Sequence, residues 1–77
     1  MNNTIKPEDI QKWIDKIEPE IQKIEPSSAS AQSMLENMKA YVADSKHFLE
    51  TGDLVRSFEA IIWAWAILEI CKDLGVF

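Results

Sequence analysis

One segment near the end of the chain, residues 52–77, limits the possible folds more than any other. It reads GDLVRSFEAIIWAWAILEICKDLGVF and is apolar without interruption from residue 60 to residue 68. A helix that is apolar all the way round cannot lie on a protein surface, so it must be covered on more than one side. The segment is therefore predicted to form the central helix of the fold.

The residues at either end of this segment mark the limits of the helix. Gly52 favours the left-handed conformation that ends a preceding helix, and Asp53 provides a side-chain oxygen that caps the next one. Gly75 provides a similar ending further on, so the helix is predicted to span residues 54–74. Because so few residues separate it from the helix before, the two helices are predicted to form an antiparallel hairpin.

The apolar residues of this third helix point in two directions. The first set is Leu54, Val55, Phe58, Ile61, Ile62 and Trp65, with Arg56, Ser57 and Glu59 pointing away from it. The second set, roughly opposite, is Ala64, Ile67, Leu68, Cys71 and Leu74. Two apolar surfaces on one helix need two covers. Helix two is expected to cover one surface, and helix one or another subunit is expected to cover the other.

The first helix is predicted over residues 7–24. Pro7 suits the first helical position, where its missing N–H costs nothing. A narrow seam at intervals of four and three is formed by Ile10, Ile14, Ile17, Ile21 and Ile24. Pro19 falls on the solvent side opposite the seam, removes one backbone hydrogen bond and predicts a kink. Since the seam keeps its phase across Pro19, we predict one kinked helix. The alternative is two short helices with a break at Glu18.

The second helix is predicted over residues 29–50, after a serine-rich connection. The sequence leaves its start open, because several residues suit the N-cap. The candidates are Ser27, Ser28, Ser30 and the capping-box pair Ser33 and Glu36. Its apolar stripe is Ala31, Met34, Leu35, Met38, Tyr41, Val42, Phe48 and Leu49. Ser45 lies within the stripe, where a small side chain allows another helix to approach closely. The fold class is therefore all-α: a small three-helix bundle that forms one domain over residues 1–77.

The composition disfavours several classes of function. The chain has 77 residues, 13 acidic and 8 basic, and a net charge of −5. This balance disfavours direct nucleic-acid binding and adsorption to an anionic membrane, which both need a basic surface. One cysteine and one histidine cannot form a disulfide or a standard structural zinc site. The apolar run is shorter than the ~20 residues that span a bilayer, and the polar N-terminus lacks a signal core. A cytoplasmic location is expected.

Residues 34–77 carry a pattern that resembles a known family. The matching positions are Tyr41, Asp44, Ser45, Phe48, Leu49, Gly52, Asp53, Val55, Arg56, Phe58, Glu59, Ala60, Trp63, Ala64, Leu68, Leu74, Gly75, Val76 and Phe77. The pattern is similar to that of the archaeal domain of unknown function 357, a family of short helical proteins, and departs from it at Trp65, Ala66 and Glu69. The resemblance implies an archaeal source and a compact three-helix fold. It implies no activity, so no catalytic residue is assigned through it.

A few polar residues have the chemistry of a ligand or catalytic site. Asp44 and His47 lie three residues apart on helix two, where they could share a cation, but a solvated pair on a polar helix face is the favoured interpretation. Glu69 extends an apolar stripe and would be a partly buried acid if that stripe were covered; an exposed Glu69 is favoured, because buried unpaired carboxylates are costly. Cys71 and His47 have side chains that could act as a nucleophile and a general base, but a buried structural role for Cys71 is favoured.

The tryptophans are the main candidates for an interface. At roughly 100° per residue, Trp63 and Trp65 point about 160° apart and cannot enter the same core. Tryptophan is enriched in binding hot spots, which favours an interface for at least one of them. A tryptophan packed under helix one is an equally favoured alternative. The interface candidates are Trp13, Trp63, Trp65 and Ile70. Such surplus apolar area in a domain this small favours a homodimer.

Taken together, these features favour a non-catalytic helical module that works through protein–protein contacts, with self-association foremost. No cofactor, no metal, and no direct contact with nucleic acid or membrane is expected. The first alternative is a small metal- or ligand-dependent enzyme that uses Asp44, His47 and Glu69. The second is an accessory subunit of a nucleic-acid machine that contacts protein rather than nucleic acid.

Overall fold

The computed structural model describes residues 4–77, which form three α-helices. They are α1 (Pro7–Gln22), α2 (Ala29–Thr51) and α3 (Leu54–Asp73). The predicted all-α three-helix bundle is confirmed, and α2 and α3 are the most closely packed pair. Each observed helix limit lies within two residues of the expected one. None of the helices within residues 4–77 combines the length and the apolar character that a bilayer crossing requires.

Helix α1 presents a single apolar seam to the core. Pro7 occupies its first turn, and the buried seam consists of Ile10, Ile14, Ile17 and Ile21. The helix continues through Pro19, which lies exposed on the opposite side. One continuous helix is observed, so the alternative of two short helices is wrong. The proline is tolerated because a solvent-facing carbonyl that loses its N–H partner can bind water instead.

The start of α2 and the turn into α3 are fixed by local hydrogen bonds. Ser28 is the N-cap of α2, and its Oγ accepts a hydrogen bond from the Ala31 N–H at 3.0 Å. At the turn, Gly52 has a φ of 82°, a left-handed conformation that favours glycine. The N–H of Gly52 donates to the carbonyl of Leu49, and that of the next residue, Asp53, donates to the carbonyl of Phe48. This pair of bonds is a Schellman motif.

The first residues of α3 follow from the same turn. Asp53 is its N-cap, and the Oδ1 atom accepts a hydrogen bond from the Arg56 N–H at 3.2 Å. The caps expected at Gly52 and Asp53 are therefore present. At the other end, Gly75 has a φ of 73° and the chain turns back, with the Val76 N–H donating to the Cys71 carbonyl at 2.8 Å. This return brings Phe77 against the core.

Helix α3 buries one stripe of mostly small residues, which we call the inner face. It consists of Ser57, Ala60, Ile61, Ala64, Leu68 and Cys71. The expectation of two apolar sets is only partly right: Ile61 of the first set is buried on the same stripe as Ala64, Leu68 and Cys71 of the second. Ser57, expected to point away, is fully buried, whereas Val55, Phe58, Ile62 and Leu74, expected to be covered, are exposed. One stripe is covered by the neighbouring helices, and the large residues on the other side of α3 remain exposed.

A pair of buried serines explains the orientation of α3. The Ser45 Oγ donates to the Ser57 carbonyl at 2.8 Å, and the Ser57 Oγ donates to the Ser45 carbonyl at 2.7 Å. Their two hydroxyl oxygens are 3.2 Å apart. Hydroxyls can form such bonds only when two helix backbones approach closely, and Ala60 and Ala64 leave room for that approach. Small residues therefore face α2, and larger ones are turned outward.

Candidate functional site

An exposed apolar stripe lies on α3, opposite the inner face. We call it the outer face, and its large exposed residues are Val55, Phe58, Ile62, Trp63, Ile70 and Leu74. The most exposed of these, Leu74, retains 73% of its accessible surface, and Trp63 retains 59%. Single apolar residues on a surface are ordinary, but five on one helix and a sixth at its C-cap are a concentration of the kind that marks an interaction site.

Three carboxylates lie on the outer face among its apolar residues. At roughly 100° per residue, Glu59, Glu69 and Asp73 fall within about 50° of the centre of the outer face. All three are exposed. Within residues 4–77, none of them lies within ion-pair distance of a basic side chain. The outer face therefore carries acidic side chains among its apolar ones.

The two basic residues of α3 are engaged at the margins of this face. The Arg56 Nε atom lies 3.7 Å from an oxygen of Asp53, and its guanidinium carbon lies 5.9 Å from the centre of the Phe48 ring. The Lys72 Nζ atom lies 3.1 Å from an oxygen of Glu20 on α1. Neither base forms an ion pair with Glu59, Glu69 or Asp73.

The groove between α1 and α3 contains a pair of tryptophans. The ring centres of Trp13 and Trp65 are 6.3 Å apart and their planes are inclined at 84°, an edge-to-face arrangement. The Trp65 Nε1–H donates to the Trp13 carbonyl at 3.3 Å, which fixes the orientation of the indole. With Lys16 and Glu69, the two rings line a hollow of about 290 Å³. We call Trp13, Trp65 and Glu69 the aromatic corner.

The groove between α2 and α3 lies on the other side of the outer face. There Trp63 stacks on Tyr41, with ring centres 6.3 Å apart and planes inclined at 20°. Both rings and Asp44 line two adjoining hollows of about 460 and 300 Å³. Trp63 and Trp65 thus occupy separate grooves, in keeping with their angular separation in the sequence. Tyr41 was not among the interface candidates, because the sequence places it within a core stripe.

The polar candidates do not form a common site. Asp44 lies in the groove between α2 and α3, whereas Glu69 lines the hollow between α1 and α3. His47 is exposed, with its ring centre 5.5 Å from that of Phe48. Among residues 4–77, no group of three or more His, Cys, Asp or Glu side chains is placed to hold a metal ion. The constellation on which the enzymatic alternative depends is therefore not assembled.

Cys71 and Ile70 illustrate how adjacent residues on α3 differ. Cys71 is a free thiol within the inner face and only 3% exposed. Its burial fits a structural cysteine that behaves as a small apolar residue. Ile70 is 56% exposed and belongs to the outer face. Of the interface candidates, Ile70 and Trp63 are therefore the most accessible, and Trp13 and Trp65 form one side of a groove.

Comparison with known proteins supports one family. The model of the family described as "Protein of unknown function (DUF357)" matches residues 10–77. The fold is similar to the crystal structure of protein AF1782 from Archaeoglobus fulgidus, a protein of the same family model, with a TM-score of 0.81 and 41% sequence identity. The alignment covers 91% of this chain and 87% of that one. A comparison with curated proteins gives no match.

Proposed function

This chain belongs to the DUF357 family of proteins of unknown function, and from that premise we propose that it is a non-catalytic protein-interaction module. Its contact surface is the outer face of α3, and the partner is an amphipathic helix that carries basic residues beside its apolar stripe. The family supplies no activity that could be transferred. The proposal is therefore supported by the surface of this chain itself.

One observation carries the proposal: the apolar outer face of α3. Five large apolar side chains are exposed along α3 and a sixth, that of Leu74, at its C-cap, in a chain of 77 residues. Exposed patches of this kind are rare in monomeric proteins unless they bind something. Apart from Trp63, these residues are spaced by three, four and eight positions, which keeps them on one side of the helix and fits a partner helix with an apolar stripe of its own.

The carboxylates of the outer face indicate the charge of the partner. Glu59, Glu69 and Asp73 lie on this face without a basic neighbour at ion-pair distance within residues 4–77. A partner with lysine or arginine beside its apolar stripe would complement them. Two copies meeting through this face would instead place like charges together, and each copy has a net charge of −5. The charges therefore favour a basic partner over a second copy.

Two synthetic peptides test this proposal. Both are amphipathic helices of about 18 residues with the same leucine stripe, and one has lysines beside the stripe where the other has glutamates. Isothermal titration calorimetry should show at least about tenfold tighter binding of the basic peptide, with a difference that shrinks as salt is added. Equal binding of the two peptides would contradict the proposed basic partner.

Matched variants locate the binding surface. Ile62→Gln combined with Ile70→Gln makes the outer face polar and should weaken binding of the basic peptide by about tenfold or more. The control combines Ala29→Gln with Ala43→Gln, which adds two glutamines at exposed positions of α2 and should leave binding unchanged. If both double variants bind as well as the unmodified protein, the outer face is not the contact surface.

Self-association through the same face is the second candidate. Its support is that a C2 dimer would bury the six exposed apolar residues of both copies in one interface. Sedimentation equilibrium over a range of protein and salt concentrations decides between the two candidates. A basic-partner module should remain monomeric at low salt. A dimer at micromolar concentration that dissociates with Ile62→Gln and Ile70→Gln would instead establish the homodimer. A partner that is itself part of a nucleic-acid machine is compatible with either result.

A further inference from the structure

We infer that the aromatic corner, Trp13, Trp65 and Glu69, is a binding site for an organic cation. The cation is the ammonium or guanidinium group of a lysine or arginine on the partner helix. This inference rests on the proposed function for the source of the cation. The ability of the corner to bind such a group can be tested without a partner.

The two indoles provide perpendicular walls. Their planes are inclined at 84°, so a group placed in the angle between them can lie against both rings at once. Cations bind to the faces of tryptophan within about 6 Å of the ring centre, and tryptophan is the strongest of the aromatic residues in this role. The hydrogen bond from Trp65 Nε1 to the Trp13 carbonyl holds one wall in place before any ligand arrives. The site is therefore preorganised.

A carboxylate completes the site. Glu69 lies one helical turn after Trp65 and lines the same hollow of about 290 Å³. It is exposed, and within residues 4–77 no basic side chain lies at ion-pair distance from it. A carboxylate beside two aromatic rings attracts a positive charge, whereas the rings attract the alkyl groups next to that charge. Both features favour an organic cation over a hydrated metal ion.

Lys16 is the competing charge in this hollow. It lines the same space on α1 but does not lie over either indole ring. Its ammonium group repels an incoming cation, so it limits the affinity of the corner. The site therefore makes two predictions of opposite sign: removal of the Glu69 charge weakens cation binding, and removal of the Lys16 charge strengthens it.

The probes are tetramethylammonium and n-butylammonium, added to the uniformly ¹⁵N-labelled full chain. The three tryptophans give three indole N–H signals in a heteronuclear correlation spectrum, assigned by single Trp→Phe variants. Both probes should shift the signals of Trp13 and Trp65, and the signal of Trp63 should stay in place. Sodium at the same ionic strength and n-butanol, an uncharged analogue of similar shape, should shift none of them.

Charge variants give the decisive test. Glu69→Gln should weaken probe binding about fourfold and Lys16→Gln should strengthen it about fourfold, as expected for a unit charge about 5 Å away in water. Glu50→Gln, which removes an acid from α2 outside the corner, should change binding less than twofold. An equal effect of Glu50→Gln and Glu69→Gln would overturn the inference, because it would show only the effect of net charge. Equal shifts with n-butanol would overturn it as well.

The walls are tested by Trp13→Leu, which should abolish the probe-induced shift of Trp65. Should that variant fail to fold, the two exposed charge variants still decide the question. The outcome is separable from that of the proposed function. If neither probe binds the aromatic corner while the basic peptide still binds the protein, the inferred cation site is refuted and the proposed function is not. A corner that binds the probes while neither peptide binds refutes the proposed function and leaves the cation site standing.

Discussion

The inner and outer faces of α3 invert the usual distribution of side-chain size. The inner face contains two alanines and a serine beside Ile61, Leu68 and Cys71, and all six residues are buried. The outer face contains six large apolar residues, including Phe58 and Trp63, and all six are exposed. The comparison shows that burial in this bundle depends on how closely the helices approach, and not on which residues of α3 are most hydrophobic.

The inversion has a physical origin in the α2–α3 contact. A close approach of two helices requires small residues where their backbones meet, and it brings many other atoms into contact. The reciprocal hydrogen bonds of Ser45 and Ser57 are possible only at that distance. Larger residues at these positions would hold the helices apart. The large apolar residues are consequently left on the outside, where a partner can use them.

The largest expected effect on stability comes from truncating one large side chain on each face of α3. Leu68→Ala on the inner face should lower the free energy of unfolding by about 2–5 kcal/mol, because it removes buried methyl groups and leaves a cavity. Ile70→Ala on the outer face should change it by less than about 0.5 kcal/mol, because Ile70 is mostly solvated. Urea unfolding followed by circular dichroism measures both values. An osmolyte such as TMAO can be added equally to all samples if Leu68→Ala is unfolded in buffer.

A comparable loss of unfolding free energy in the two variants would contradict the difference between the two faces. It would mean that Ile70 is already covered in solution, as in a dimer, and that the outer face is not free. Repeating the measurement at several protein concentrations distinguishes these cases, since the stability of a dimer depends on concentration.

Much of the fold could be predicted from the sequence because its signals are local. The isoleucines of α1 all lie on one side of the helix, so its buried face is unambiguous. Gly52 and Asp53 determine the turn through backbone geometry and a side-chain cap. The caps need no knowledge of the rest of the molecule. The sequence does not single out the N-cap of α2, since several serines have the same chemistry and only the path of the chain distinguishes Ser28.

The orientation of α3 could not be predicted in the same way. Residues 60–68 are all apolar, so the hydrophobic period gives no unique direction. A usable signal was present in Ser57, Ala60 and Ala64, which recur at spacings of three and four as a small-residue stripe, with Ser45 as its counterpart on α2. The aromatic corner could be predicted only in part. Trp13 and Trp65 are interface candidates by sequence, but the contact between them depends on how α1 packs against α3.

A smaller effect is expected from the buried serines, and it tests whether hydrogen bonds or size determine the inner face. Ser45→Ala and Ser57→Ala should each lower the free energy of unfolding by about 1 kcal/mol, because each removes one buried hydrogen bond to a carbonyl. The double variant should cost less than the sum by about 0.5 kcal/mol or more, since the two hydroxyls also contact one another. Chemical denaturation of the four proteins gives the coupling.

The control for the serines is Ser33→Ala, an exposed position on the same helix, which should change stability by less than about 0.5 kcal/mol. If the buried double variant is as stable as the unmodified protein, side-chain size alone determines the close approach of α2 and α3. The hydrogen bonds would then follow from that approach and would not contribute to it.

The smallest effect lies at the margin between the two faces, where Lys72 of α3 meets Glu20 of α1. The hydrogen bond from Lys72, followed by the charges of Lys23 and Lys72, lowers the pKa of Glu20 below its ordinary value of 4.5. A lowered pKa in the folded state means that the contribution to stability is present above pH 4.5 and is lost as the pH falls through the folded value. The effect is small because water screens the pair: the Lys72 side chain is 53% exposed. Melting temperatures of the unmodified protein and Glu20→Gln should therefore differ slightly at neutral pH and converge in acid. Parallel curves for the unmodified protein and Glu20→Gln would show that this contact does not help to join α1 to α3, and that the buried residues alone hold the inner face against its neighbours.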